Sequence, residues 1–342
     1  MDHRRMMLRG AALVAVGTML SVSLADAQNP PRRSTASADP VGIWTLQDEN
    51  ASLSSAKLTD RYYTNGLRLG WISGTSTAPD FLTQASQALW GAGQTRIGFD
   101  LSQQIYTPKD AVSIVPPKGD RPYAGVLMAN FTLQNDQTDM RTFATVGIGL
   151  LGPGAAGEQV QNGFHDLIGQ GHNNGWRTQL KDEPLLQITT GGIFRLPVTE
   201  FGGLEVDALP ELTAGVGNLR VYAETGGVMR LGQGLQSDYG APRMRPGQSG
   251  LDAFTPTRPF AWYVFAGVDA RAVAHDVTLD GNDFRRSLNV KKTPFIGEIE
   301  GGVALMAFGA RLTYTHVLQT QEFKHQKGGL HQFGSLALSV RF

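Results

Sequence analysis

The 342-residue chain contains no cysteine, which excludes a disulfide framework, a thiolate zinc site and a cysteine nucleophile together. It also lacks net charge, because 30 basic side chains meet 30 acidic ones. With no positive field to hold a polyanion, nonspecific nucleic-acid binding is excluded as a function. After the N-terminal segment no stretch offers 18 consecutive apolar residues, so helical membrane spans are excluded there. Catalytic signatures are missing too: there is no G-x-S-x-G elbow, P-loop, H-E-x-x-H or EF-hand loop. The 42 glycines follow no G-X-Y period and lie inside patterned segments, so the chain is neither collagen-like nor of low complexity.

What is present starts with Arg4, Arg5 and Arg9 ahead of an apolar run from Ala11 to Leu24, closed by the small-x-small triplet Ala25-Asp26-Ala27. This pattern predicts a secretory signal over 1–27; the run is shorter than the ~20 residues of a membrane anchor. Residues 28–41, rich in Pro, Arg, Ser and Ala, are predicted to be a disordered leader. The remainder, 42–342, must then be an exported soluble protein or a barrel.

Alternation dominates that remainder. Leu67, Leu69 and Trp71 alternate with Arg68 and Gly70, and Ile97, Phe99 and Leu101 with Gly98, Asp100 and Ser102. Period two with one apolar face means strands. Twelve are predicted, at 43–50, 62–73, 95–106, 123–134, 141–151, 184–197, 205–216, 219–231, 259–275, 293–307, 309–320 and 331–342. Most exceed the ~5–6 residues usual in soluble domains and match the ~9–11 tilted residues that cross an outer membrane. The closing strand alternates Leu336, Leu338 and Val340 with Ala337, Ser339 and Arg341 and ends on Phe342, as a terminal assembly signal for outer-membrane barrels does. Aromatic residues such as Trp71, Tyr106, Tyr123, Phe131, Phe143, Trp262, Tyr263, Phe265 and Tyr314 lie in the strands, several near ends suited to an interfacial girdle. The expected fold is all-β: a transmembrane antiparallel β-barrel of about 12 strands with short helices between strands, its closure removing unpaired edges.

Two helices interrupt the pattern. Phe81, Leu82, Ala85 and Leu89 predict one between the second and third strands; Val160, Phe164, Leu167 and Ile168 predict another after Gly152-Pro153-Gly154. On the second helix Gln161 and His165 are four residues apart and share a face. Histidine is a general base near neutral pH, with the amide placed to orient it or bind substrate; a lone surface histidine is the bland alternative.

Two further clusters stand out. Asp48-Glu49-Asn50 ends the first strand, and Asp60, Thr64 and Asn65 lie at the start of the second. At hairpin distance such oxygen donors hold a hard cation such as calcium, with Glu49, Asn50 and Asp60 the candidate ligands; the alternative is a turn in which Asp and Asn cap backbone groups. Lys118 and Arg121 enter the fourth strand near its expected rim, where cations meet lipid phosphates.

The blocks Glu49-Asn50, Thr59-Asp60-Arg61-Tyr62-Tyr63-Thr64-Asn65-Gly66, Gly119-Asp120-Arg121-Pro122-Tyr123-Ala124-Gly125, Gly152-Pro153 through Gln159-Val160-Gln161-Asn162 to His165, and Gly175-Trp176 with Gln179-Leu180 resemble, in order, the outer-membrane lipid A deacylase family LpxR. The resemblance spans roughly 42–342. It implies a twelve-stranded barrel in the outer membrane of a Gram-negative bacterium. It also implies removal of the ester-linked 3′ acyloxyacyl group from the lipid A of lipopolysaccharide. By the same resemblance His165 is the general base that activates water, Asn50, Thr64 and Gln161 belong to the site, and a calcium ion stabilises the oxyanion. Family members commonly carry Asp directly after the Asn aligned with Asn50, where this chain has Ala51, leaving Asp48, Glu49 or Asp60 to compensate. Parity raises a second question, since Asn50 shares its side with Trp44 and Leu46 while Thr64 lies opposite Leu67 and Leu69. A bulge, or a site on the lipid-facing wall, would reconcile them. The rival readings are a non-catalytic barrel, either pore or structural protein, and a phospholipase-like barrel using serine and histidine.

Overall fold

Alternation governs the strands of the computed structural model, which describes residues 36–54, 61–111, 113–244 and 252–342. The signal and most of the leader lie outside the described residues, as does Asp60. In chain order the strands are β1 (Ile43–Asn50), β2 (Tyr62–Ile72), β3 (Gln94–Thr107), β4 (Ala124–Asp136), β5 (Met140–Leu151), β6 (Glu183–Phe194), β7 (Leu196–Phe201), β8 (Leu204–Gly217), β9 (Arg220–Gln233), β10 (Phe260–Asp276), β11 (Phe295–Ala307), β12 (Ala310–Gln319) and β13 (His331–Arg341). Three α-helices intervene: α1 (Asp80–Trp90), α2 (Gly157–Ile168) and α3 (Val277–Asp280).

Neighbouring strands pair antiparallel, β1 pairs with β13, and β6 pairs with β8, so the sheet closes on itself. The expected strand at 184–197 is divided into β6 and β7 around Arg195, both portions pairing with β8. Counted as one, they make twelve staves, as the sequence pattern predicts. Apart from β1 and β7 the strands run 10 to 17 residues, enough to cross a hydrocarbon layer. Among the described residues no helix is long and apolar enough to do so.

Polarity is inverted relative to a soluble core. Leu46, Leu69, Phe99, Leu101, Ile148, Leu186, Val268 and Ile299 face outward and are exposed, whereas the lumen collects arginines and carboxylates. On β1, Ile43, Thr45, Gln47 and Glu49 are buried inside while Trp44 and Leu46 point out. Of the expected girdle, Trp71 and Phe131 face outward, on either side of Phe99 with ring centroids 6.3 and 5.1 Å from it. It fails for Tyr106, Tyr123, Phe143, Tyr263 and Phe265, which are buried, because alternation or a covering segment turns them away from lipid.

The lumen is blocked. The connection between β9 and β10 starts at the end that carries both termini and folds back inside. Its Asp238 carboxylate sits between Arg230 (2.6 Å) and Arg311 (2.9 Å), Asp252 takes two hydrogen bonds from Arg68, and Tyr239 donates its hydroxyl to the Gln137 carbonyl. A lumen cavity lined by Arg68, Asp100, Gln104 and Arg220 among others measures about 40 Å³, room for a few waters. Even the leader contributes. Asp39, expected to be disordered, is buried and bonded by Arg96 and Arg341. Those two strand arginines would otherwise lack this counter-charge at the barrel mouth.

Candidate active site on the outer wall

Helix α2 begins after Gly152, whose φ of 100° turns the chain at the end of β5 in a conformation that favours glycine. The helix lies against the outer wall of β3 and β4. Gln103 of β3 donates to the Ala155 carbonyl (2.6 Å), and Ile105 of β3 packs with Tyr123, Val160 and Trp176. Gly125 and Gly157 make the approach possible. A Cβ on Gly157 would stand 2.7 Å from the Trp176 ring and 3.2 Å from the Gly125 Cα.

The helix is inside out. Its apolar stripe, Phe164, Leu167 and Ile168, is exposed, with Leu167 at 82%, while Gly157, Gln161 and His165 are buried against the barrel. A helix on a water-soluble protein buries the opposite face. An apolar stripe continuous with a lipid-facing wall is what a membrane-embedded surface element presents.

On the buried face, His165 Nδ1 lies 2.8 Å from the Gly171 carbonyl oxygen. A carbonyl only accepts, so Nδ1 carries the proton and Nε2 is the basic nitrogen of the neutral ring. The Trp176 indole N–H donates to Gln161 Oε1 at 2.8 Å. Trp176 itself is buried and leans on Tyr123, ring centroids 5.0 Å apart, with the Tyr123 hydroxyl held by the Ala111 carbonyl.

The oxygen donors at the top of β1 and β2 fall on the same outer side of the wall. Asn50 and Asp48 alternate with the lumen-facing Glu49, and Asn65 donates to Asp48 Oδ1 at 2.9 Å. The parity conflict is resolved by a bulge: the β2–β3 register slips between Tyr63 and Asn65. Tyr63 points inward, and Thr64 approaches Thr107 at 2.7 Å, two residues beyond the Ile105 that α2 covers. No basic side chain among the described residues pairs with Asp48. Asn50 Oδ1 accepts from the amide and hydroxyl of Ser52, the capping arrangement weighed as the alternative to metal binding.

Two expected site residues land elsewhere. Glu49 is buried in the lumen, accepting from Tyr63 Oη (2.8 Å), Gln47 (3.2 Å) and the Met244 amide (2.9 Å). Adjacent strand residues project to opposite faces, so Glu49 and Asn50 do not share an ion through their side chains. Arg121 is not at the rim surface: it is fully buried, paired with Glu322 (3.1 Å), bonded to Thr278 and laid over the Tyr106 ring. This leaves it no access to a lipid phosphate. Lys118 remains exposed. A carboxylate group missed in the sequence, Glu211, Glu224 and Asp269, brings its oxygens within 4.8 Å of one another. It sits in the lumen beside Arg243 and Arg271, on β8, β9 and β10 and not on the β3 and β4 staves that α2 covers. Trp176 was legible only as part of a family block; its link to Gln161 spans 15 residues and a loop.

The family model described as outer membrane protein LpxR matches residues 13–342. Among solved structures, LpxR from Salmonella typhimurium is similar over 88% of this chain and 100% of its own, at 21% identity and a TM-score of 0.72. The β domain of the Bordetella autotransporter Brka is 11% identical over 88% of this chain and 99% of its own, with a TM-score of 0.42. No curated protein matches the sequence.

Proposed function

We propose, from the premise that this chain belongs to the LpxR family of outer-membrane proteins, that it hydrolyses the 3′ acyloxyacyl ester of lipid A from the outer wall of its barrel. The observation that carries this reading is the inverted helix: a histidine face buried against the wall beneath an apolar stripe exposed to lipid. A substrate whose acyl chains lie in the membrane reaches such a site laterally, without entering the lumen.

In this reading His165 Nε2 takes a proton from water as the water oxygen attacks the ester carbonyl, and the Gly171 carbonyl holds the ring in the tautomer that leaves Nε2 basic. The imidazolium then returns its proton to the departing sugar oxygen as the C–O bond breaks, releasing the acyloxyacyl acid and a free hydroxyl. Asp48, Asn50 and Thr64 would be the oxygen donors that hold calcium on the outer face, Asn50 giving up its bonds from Ser52 to the ion. Asp48, lacking a cationic partner among the described residues, would supply the charge that Ala51 cannot. A calcium ion held there would supply positive charge to favour negative charge developing on the ester oxygen. Lys118 is placed to meet a lipid phosphate.

A pore is disfavoured by the blocked lumen. Mass spectrometry of lipid A from cells expressing the wild type and His165→Ala tests the proposal. Loss of one acyloxyacyl group in the wild type alone is expected, and an unchanged pattern in both removes it. Chelation should abolish the reaction; activity that survives chelation and is blocked by a serine-directed phosphonate would favour the serine-based rival.

A further inference from the structure

Gln161 is buried at 5% exposure, and its Nε2 has no hydrogen-bond partner among the described residues. An amide is usually ambiguous between its oxygen and nitrogen ends, but here chemistry settles the orientation. The Trp176 indole nitrogen can only donate, so the end facing it must be the oxygen. The NH₂ group is thereby turned away from Trp176. Leaving such a donor buried and unsatisfied costs on the order of 1–3 kcal/mol, a cost avoided if an acceptor arrives with a ligand. The indole is itself packed between Tyr123 and the Cβ-free Gly157. Gln161 and His165 share the buried face of α2 one turn apart.

Resting on the hydrolytic reading above, we infer that Gln161 Nε2 donates a hydrogen bond to the carbonyl oxygen of the scissile ester, and that Trp176 is the positioning residue that fixes this amide. The donor acts on the oxygen as it gains charge, while His165 delivers water to the carbon. The ligand class is an acyl ester presented from a lipid phase, with the carbonyl oxygen the recognised atom. A preorganised donor of this kind contributes roughly 10²–10³ in kcat.

The test uses the full-length barrel in detergent with calcium and purified lipid A, folding being checked by heat-modifiable gel mobility. Gln161→Glu keeps an oxygen facing Trp176 but removes both N–H donors. Its kcat, read across a pH profile so that a carboxylate beside His165 does not confound it, is expected to fall at least 10²-fold with KM little changed. Trp176→Phe keeps an aromatic ring at the packed position and loses only the N–H; a drop of about tenfold in kcat is expected. If Gln161 were merely structural, Gln161→Glu would retain its bond to Trp176 and turn over within about threefold of wild type, which overturns the inference. A Trp176→Phe protein as fast as wild type overturns the positioning role. A wild type that releases no acyl group refutes the hydrolytic reading itself, a separate result from either variant outcome.

Discussion

Glu49 and Asp48 are adjacent acids on opposite sides of one barrel wall, so substituting them separately distinguishes a lumen role from an outer-wall role. The buried Glu49 carboxylate accepts hydrogen bonds from Tyr63, Gln47 and the Met244 amide of the inserted β9–β10 segment. Bonds to a charged group contribute about 1.5–3 kcal/mol each. In Glu49→Gln the remaining oxygen keeps one side of the set, and the Tyr63 hydroxyl can rotate to accept, so a loss of about 2 kcal/mol in stability is expected. Its deacylation rate per folded molecule should stay within about twofold of wild type. Asp48 is half-buried and accepts a hydrogen bond from Asn65, so Asp48→Asn should change stability by under about 1 kcal/mol. It should nevertheless lower the rate by roughly 10²-fold and raise the calcium concentration needed for half-maximal activity, since a ligand charge is lost. Urea unfolding followed by tryptophan fluorescence, paired with acyl release at graded calcium, reads both axes. The reverse pattern, an inert Asp48→Asn and an inactive but stable Glu49→Gln, would refute the assignment of the cation to the outer face.

Gly157→Ala would drive a methyl into the Trp176 ring. With overpacking worth about 1–3 kcal/mol, α2 should lift from the wall, lowering acyl release and exposing 157–168 to limited proteolysis while the barrel's own unfolding midpoint barely moves. Asp252→Ala leaves Arg68 unpaired in the lumen and should destabilise the barrel by about 3–5 kcal/mol, whereas Arg68→Met with Asp252→Leu should recover most of that loss in the same unfolding assay. Burial alone would raise the Asp39 pKa, but hydrogen bonds from Arg341 and Thr255 and the charge of Arg96 outweigh it and hold it well below its ordinary 3.8. A depressed folded pKa stabilises fully above the ordinary value and loses that contribution as pH falls through the folded one. Asp39→Asn should therefore be less stable than wild type at neutral pH, and the gap should narrow below about pH 4; a gap independent of pH would contradict the ion-pair account.

The strand count, strand limits within a few residues, and both longer helices were set by the sequence, because alternation and helical spacing are local periods that survive without tertiary context. So was the pairing of Gln161 with His165, which needs only the turn of one helix. Three decisions belonged to the tertiary structure. The side of the wall that Thr64 occupies depends on a bulge at Tyr63/Asn65, and one inserted residue reverses parity without leaving a mark in the hydrophobic pattern. Whether Phe164 and Leu167 or Gln161 and His165 face the barrel depends on what solvates the other face, which a helical period alone does not state. The filling of the lumen by the β9–β10 connection, with Asp238 and Asp252 meeting arginines from distant strands, required closure of the barrel, since only then do those charges leave water together.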